Sequence, residues 1–306
     1  MSTREAPPRV AIVLLNWNQP EHTLACLRSL GQLEYPNVTV TVVDNGSTDG
    51  SPELIRAQFP EVTLIENGRN LGFAGGNNVA IVPSVQAGAD YVMLLNNDTE
   101  VAPDMLTRLV DVAERDPSVG IVGPKILYYD QPDLIWSAGG TIDAYGQPGH
   151  VGADQPDDDR SDQPREADYV TGCAILVKRA VVEAIGGIDE RFFIYFEETE
   201  WCARARRAGF RILYVPSARM WHKVKPDARG YSRRYLYLMT RNRLLYLRCC
   251  GAPAWRIAAA MLSVLRTAAS WRLRPRHRDM RPFSDALLRG TAAFMLGRFG
   301  APPARI

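Results

Sequence analysis

The chain has 306 residues, 46% hydrophobic and 23% charged, a composition that excludes disordered and fibrous classes and leaves room for a sizeable buried core. Its net charge of +2 hides an asymmetry: residues 1–230 hold 21 Lys and Arg against 32 Asp and Glu, whereas residues 231–306 hold 15 Arg, no Lys and only Asp279 and Asp285. The apolar stretch 257–265 falls far short of the roughly 18 to 20 residues that a membrane crossing needs, and five cysteines without a C-x-x-C pair argue against a disulfide framework or a zinc ribbon.

In chain order, short apolar runs rich in β-branched residues predict buried strands over 10–15, 38–43, 62–65 and 91–95. Helical stretches fall between and after them, at 21–30, 52–58, 75–87 and 103–114. That alternation predicts an α/β fold with a mainly parallel sheet covered by helices, in which ligands bind beyond the carboxyl ends of the strands. Residues 128–166, rich in Gly, Pro and Asp and holding the acidic cluster 157–159, predict a loop-rich flap. Regular structure resumes with a strand over 169–177, a helix over 179–185, a helix over 197–208 that Gly209 ends, and a strand over 210–215. Beyond Tyr231, three Arg-rich helices are expected as an appendage.

The four strands discharge into polar residues: Asn16-Trp17-Asn18, Asp44-Asn45-Gly46-Ser47-Thr48-Asp49-Gly50, Glu66-Asn67 and Asn96-Asn97-Asp98-Thr99. Asn, Asp and Gly make turns on their own account, yet four such ends on one rim, with carboxylates, point to a shared polar site. VVDNGSTDG at 42–50, NLGFAGGNN at 70–78, LLNNDT at 94–99 and GGIDERFFIYFEETEWCARARRAGF at 186–210, followed by Trp221-His222-Lys223, resemble glycosyltransferase family 2. In order and spacing they are similar to its rhamnosyltransferase-like and galactofuranosyltransferase-like members, over roughly residues 9–225. The resemblance implies a GT-A fold, an inverting mechanism, a nucleotide-sugar donor and a divalent metal, magnesium or manganese. It also implies a catalytic domain over 1–230, with 9–127 binding the nucleotide and 128–230 the acceptor, and a helical segment over 231–306.

The resemblance assigns roles residue by residue. Asp44 falls to the nucleotide base, with Asn16 and Asn45 nearby. A carboxylate there can accept the imide N–H of uracil or thymine, which cytosine lacks; it can also simply cap a turn. Asn70, Gly72 and Gly76 would let backbone approach a sugar or phosphate, or mark a tight turn. Asn96-Asn97-Asp98 stands in the slot of the D-x-D metal motif, and only its last position is a carboxylate, so a substrate diphosphate must complete the shell. His222 would be the second metal ligand; a lone His in such a run can equally be a packing residue. Glu198 matches the general base that deprotonates the acceptor hydroxyl, with Glu197 orienting its neighbours and Glu200 pairing with Arg204. Acidic residues opening a helix and arginines closing it are also what a dipole-matched surface helix looks like.

The basic segment, with Ile257, Met261, Leu262, Leu265 and Trp271 at near-helical spacing, could lie on anionic lipid or pack on the catalytic domain. With no leader visible in MSTREAPPRV, the expected location is cytoplasmic, peripheral to the inner membrane face if lipid is the partner. The reading that results is transfer of one sugar, rhamnose-type favoured, from a UDP- or dTDP-sugar to a glycan, lipid-linked or secondary-metabolite acceptor. No nucleic-acid partner is expected. Its rival is a non-catalytic nucleotide-sugar or nucleic-acid binding module on the same fold.

Overall fold

A computed structural model describes residues 6–158, 163–225 and 231–306. The first half runs β1 (Val10–Asn16), α1 (Pro20–Leu30), β2 (Val38–Asp44), α2 (Ser51–Gln58), β3 (Thr63–Glu66), α3 (Gly72–Gln86), β4 (Tyr91–Asn96), β5 (Thr99–Val101), α4 (Met105–Arg115) and β6 (Val119–Tyr128). Then come β7 (Ile135–Ser137), β8 (Gly140–Ile142), β9 (Pro148–His150), β10 (Arg165–Glu166), β11 (Ala174–Lys178), α5 (Arg179–Ile185), a 3₁₀ turn over Glu190–Phe192, α6 (Glu197–Arg207) and β12 (Arg211–His222). Helices α7 (Arg233–Cys249), α8 (Ala254–Leu273) and α9 (Ser284–Met295), with a 3₁₀ segment before the last, close the chain.

One ten-stranded sheet has the order β10-β12-β6-β11-β4-β1-β2-β3, with β5 added to β12 and β7 to β6. Its β4-β1-β2-β3 portion is parallel throughout, as is the β6–β12 pair, and β11 runs antiparallel between β4 and β6. Val10 to Leu14 are at most 5% exposed, because helices cover both faces and a strand buried on both sides reads as a continuous apolar run. One core lies between the sheet and α1, α2 and α4, joining Leu24, Leu27, Ile55, Leu106 and Leu109 to Ile12 and Met93. The other lies beneath α3, α5 and α6, joining Ile81, Val181 and Trp201 to Val13 and Leu94.

Two sequence expectations are corrected. The strand expected over 169–177 forms only at Ala174–Lys178; the Ala174 N–H donates to the Thr171 carbonyl, and Gly172 packs so tightly on Phe73 that a Cβ would lie 3.0 Å from its ring. The chain there is a turn. The strand expected to stop at 215 continues through a bulge between Val215 and Arg219 to His222. Of the two alternatives left open for the apolar residues of α8, packing on the protein holds for three: Ile257 and Met261 pack inward with Leu244 and Leu245, and Trp271 with Leu236 and Val264. Of that set only Leu262 and Leu265 are exposed, joined on the outside by Trp255 and Leu273. The flap expected over 128–166 carries β7, the β8–β9 hairpin and β10. Asp159 of its acidic cluster and the boundary expected at 230 lie outside the described residues.

Candidate active site

The parallel ladder aligns the polar strand ends, since Asn16 is in register with Asp44, Leu15 with Asn96, and Asp44 with Glu66. A buried relay ties them together: Asn97 Nδ2 donates to Thr23 Oγ1 (2.9 Å), Thr23 Oγ1 to Asn16 Oδ1 (2.6 Å), and Asn16 Nδ2 to Asp44 Oδ1 (2.7 Å). Asp44 is 2% exposed and accepts four hydrogen bonds. Oδ1 takes Asn16 Nδ2 and Ser47 Oγ, and Oδ2 takes the N–H groups of Gly46 and Ser47. Its four lone-pair positions are thus occupied. Asn45 holds the next loop, donating to Asn70 Oδ1 and the Gly72 carbonyl and accepting from Asn67 Nδ2 and the Leu71 N–H.

The glycines make room for protein. A Cβ at Gly72 (φ +76°) would lie 2.4 Å from the Phe193 carbonyl oxygen, and one at Gly76 would lie 2.6 Å from Leu15 Cδ1. Asn16, Asp44, Asn45, Asn70, Gly72, Gly76 and Asn97 therefore brace the rim, and none lines the cavity beside it. With adjacent strands about 4.8 Å apart, the Asp44 end of β2 stands two strands, roughly 10 Å, from the end of β4.

That cavity, about 770 Å³, opens beyond β4 and β12 and brings together Asn96, Asp98, Thr171, Glu197, Glu198 and His222. Trp136, His150, Tyr169, Tyr195 and Tyr235 supply aromatic walls. The β5–β12 ladder sets His222 opposite Thr99, and the Lys223 N–H donates to the Asp98 carbonyl, so residues distant in sequence meet side by side. His222 Nε2 stands 3.2 Å from Asp98 Oδ1. Burial raises the Asp98 carboxyl pKa, but the hydrogen bond and charge of His222 outweigh it and hold the group below its usual value.

The pair fits a divalent cation. Two ligands bound side by side at about 2.1 Å in octahedral geometry sit roughly 3 Å apart, which matches the observed spacing. Among the described residues no group of three or more His, Cys, Asp or Glu gathers for a metal. A metal ion held here would have these two protein ligands, with water and substrate phosphate supplying the rest, the arrangement magnesium favours.

Glu197 and Glu198 open α6, where the helix N-terminus favours negative charge. Both carboxyls have raised pKa values: burial is the main cause for each, joined at Glu197 by the Glu198 charge, while the backbone N–H groups of Glu198, Thr199 and Gly172 pull Glu198 the other way. Glu200 points elsewhere, paired with Arg204 Nε at 2.7 Å as its spacing implied. Buried Trp201 anchors the helix, its Nε1 donating to the Gly186 carbonyl. Ahead of α6 the chain is strained. Phe193 (φ +67°, ψ −60°) forms an uncommon γ-turn closed by the Ile194 N–H on the Phe192 carbonyl, and Tyr195 and Phe196 also have φ near +70°. Each such residue costs about 1–3 kcal/mol.

Among the described residues, five buried side-chain polar atoms lack a hydrogen-bond partner: Thr171 Oγ1, Glu197 Oε2, Glu198 Oε2, His222 Nδ1 and Arg256 Nε. Four of them belong to residues lining this one cavity. Folded proteins leave few such atoms, so their concentration marks a place built for a polar ligand. Thr171 and the flap's share of the aromatic walls escaped the sequence reading: Thr171 sits, with Tyr169, in a segment that scans as strand, and Trp136 and His150 come from the flap, whereas Tyr195 precedes α6 and Tyr235 stands on α7.

Comparison with known proteins adds the family. Residues 7–243 match the family described as Glycosyltransferase like family 2. The N-acetylglucosaminyl-diphospho-decaprenol L-rhamnosyltransferase of Mycobacterium tuberculosis is 30% identical over 233 residues, 69% of this chain and 75% of that protein. The dTDP-rhamnosyl transferase RfbF of Shigella flexneri is 24% identical over 69% of this chain and 68% of its own length. Among solved structures, a mannosyltransferase of Pyrobaculum calidifontis in complex with GDP-Man and Mn2+ superposes with a TM-score of 0.58 at 18% identity, over 95% of this chain and 88% of that one. GalNAc-T7 with UDP, GalNAc and Mn2+ gives 0.63 at 15% identity, over 96% and 59%. At such identities the likeness is one of fold, and the fold is GT-A. The chain belongs to glycosyltransferase family 2, as a sugar-transferring enzyme of the inverting, rhamnosyltransferase-like kind.

Proposed function

We propose that this enzyme moves one rhamnose-type deoxyhexosyl unit from a dTDP- or UDP-sugar to a glycan, lipid-linked or secondary-metabolite acceptor. Glu198 serves as general base, and Asp98 and His222 hold a divalent magnesium or manganese ion. The observation that carries this reading is the shared cavity, with the Asp98–His222 pair and the unpartnered Glu198 Oε2 both on its wall. When bound, the ion would offset charge on the departing nucleoside diphosphate as a Lewis acid.

The remaining steps belong to the chain's own side chains. Burial disfavours the ionised form of Glu198 and so makes it a stronger base than an exposed glutamate, able to take the acceptor hydroxyl proton as that oxygen attacks the anomeric carbon. Glu197 lies beside it with its own carboxyl driven toward the protonated form by burial and by the Glu198 charge, and the aromatic walls exclude water from the reacting sugar. Toward the rim, Asp44 receives the imide N–H of the base by exchanging its hydrogen bond from Ser47 Oγ, whose hydroxyl hydrogen can turn away about the Cβ–Oγ bond, whereas two of the other donors are backbone N–H groups and the Asn16 amide is held by Thr23. A lipid-linked acceptor accords with the printed name of the mycobacterial relative. For such an acceptor, the exposed Trp255, Leu262, Leu265 and Leu273, on a helix with arginines and no acidic residue, would seat the enzyme on an anionic membrane face. No described helix is long and apolar enough to cross a membrane.

Incubation with dTDP- and UDP-sugars, manganese and candidate acceptors tests the donor. Acceptor-dependent release of dTDP or UDP from a deoxyhexose donor is expected. Release only from hexose or GDP-linked donors would overturn the donor assignment.

A further inference from the structure

The turn over residues 193–196 delivers Glu197 and Glu198, yet three of its four residues adopt left-handed backbone that Phe and Tyr disfavour. Something must hold it. On α7, Asn242 is fully buried, and its Nδ2 group faces three carbonyl oxygens of this turn: Phe192 at 2.9 Å, Ile194 at 2.9 Å and Tyr195 at 2.8 Å. Its Oδ1 accepts from Arg241 Nε at 2.9 Å, which fixes the amide so that its N–H groups point at the turn.

Arg241 is also fully buried, and its guanidinium donates to the Phe192 carbonyl (3.0 Å) and the Gly300 carbonyl (2.7 Å) over the Tyr237 ring. Gly300 in turn donates its N–H to the Arg191 carbonyl. Among the described residues no carboxylate pairs with this guanidinium. A charge buried against neutral carbonyls is an expensive choice for packing alone, and its five donors in a rigid fork suit the gripping of a backbone.

We propose that Arg241 and Asn242 are positioning residues of the transfer reaction: they clamp the strained 192–196 backbone and thereby set Glu198 in the cavity. The helical segment is then part of the catalytic machinery, acting through α7. This rests on Glu198 as the base. Arg241 and Asn242 themselves touch neither the Asp98–His222 pair nor the rim; the turn they hold meets the rim only through the Phe193 carbonyl, against Gly72 and the Ala74 N–H, and that carbonyl is not one the clamp grips, so donor binding should change little.

The test uses the full-length enzyme, Asn242→Ala and the milder Arg241→Lys, with Glu198→Gln alongside, each corrected for folded fraction. A misplacement of about 1 Å costs on the order of 100-fold in rate. The Asn242→Ala kcat is therefore expected to fall about 100-fold, with the donor KM within about threefold, and amide hydrogen exchange should rise over 192–199 but not over β1–β4. Arg241→Lys should show the same pattern, smaller. A kcat within threefold of wild type in both variants overturns the proposal, with or without faster exchange, because a merely structural clamp predicts that. Lost turnover with unchanged exchange over 192–199 overturns it too. If Glu198→Gln retains full activity the base assignment fails separately, and the exchange data still judge the clamp.

Discussion

Replacing Glu198 by Gln should abolish transfer and at the same time stabilise the fold. Two carboxyls lie side by side at the start of α6, each with one oxygen shielded from solvent and unpartnered; burial raises both pKa values, and the Glu198 charge adds to it at Glu197. A folded-state pKa above the unfolded value, about 4.3 for Glu, means that the native state holds more protons. The stability contribution is then full below the unfolded pKa and is lost as pH rises through the folded one. Leaving a buried polar atom unsatisfied costs about 1–3 kcal/mol, and more when the group is charged; Gln keeps the first cost and removes the excess, so the variant should gain on the order of 1 kcal/mol at pH 8. At about 2–4 °C per kcal/mol for a chain approaching this size, the melting temperature of Glu198→Gln should exceed that of wild type by a few degrees at pH 8. The gap should close toward pH 4. Asp98, whose pKa is lowered, gives stability that is present above its unfolded pKa of about 3.9 and lost as pH falls through the folded value; its effect therefore lies below this window. Thermal melts of both proteins from pH 4 to 8.5, with a chelator present, make the measurement. Equal or lower stability of the variant at pH 8, or a gap that does not change with pH, would refute the account of the pair as a strained, buried base.

Asp98→Ala and His222→Ala should each raise the manganese concentration needed for half-maximal turnover by tenfold or more; unaltered metal response in both removes the proposed ligands. Asp44→Asn should weaken uridine and thymidine diphosphate binding by about tenfold or more, the worth of a hydrogen bond to a charged group, as read by calorimetry, whereas Ser47→Ala should not. A reversed order means that Asp44 serves only the turn. Leu262→Glu with Leu265→Glu should reduce binding to phosphatidylglycerol vesicles at least tenfold, since burying each leucine is worth about 1.5–3 kcal/mol. Equal binding before and after would leave α8 as packing alone.

How far the sequence disclosed this molecule depended on what each residue answers to. The β4-β1-β2-β3 half was legible because helices bury both faces of its strands. Strand β6 was not, although all ten of its residues are buried. Gly120 and Gly123 interrupt its pattern because Val181, Phe210 and Val170 occupy the space of their Cβ atoms, and Lys125 does so because it pairs at 2.7 Å with Asp157 across the flap. Asp98, His222 and Glu198 were singled out by motif resemblance, and what the fold adds is that they line one cavity. Asp44 satisfied both of its readings at the level of sequence; its four hydrogen bonds show that it caps the turn, and base binding stays a proposal. The left-handed turn at 193–196 left no trace, since Phe and Tyr give no sign of positive φ, and the Arg241–Asn242 grip on it depends on chain folding back from about 50 positions away.

Turnover of Glu198→Gln and Glu197→Gln, measured side by side with manganese and saturating donor and acceptor, tests the central claim most directly. General-base catalysis is worth about 10²- to 10⁴-fold. Glu198→Gln should lose at least a hundredfold in kcat with nucleoside diphosphate affinity unchanged, and Glu197→Gln should lose much less. Transfer by Glu198→Gln within a few fold of wild type would contradict the assignment of the base and the mechanism built on it.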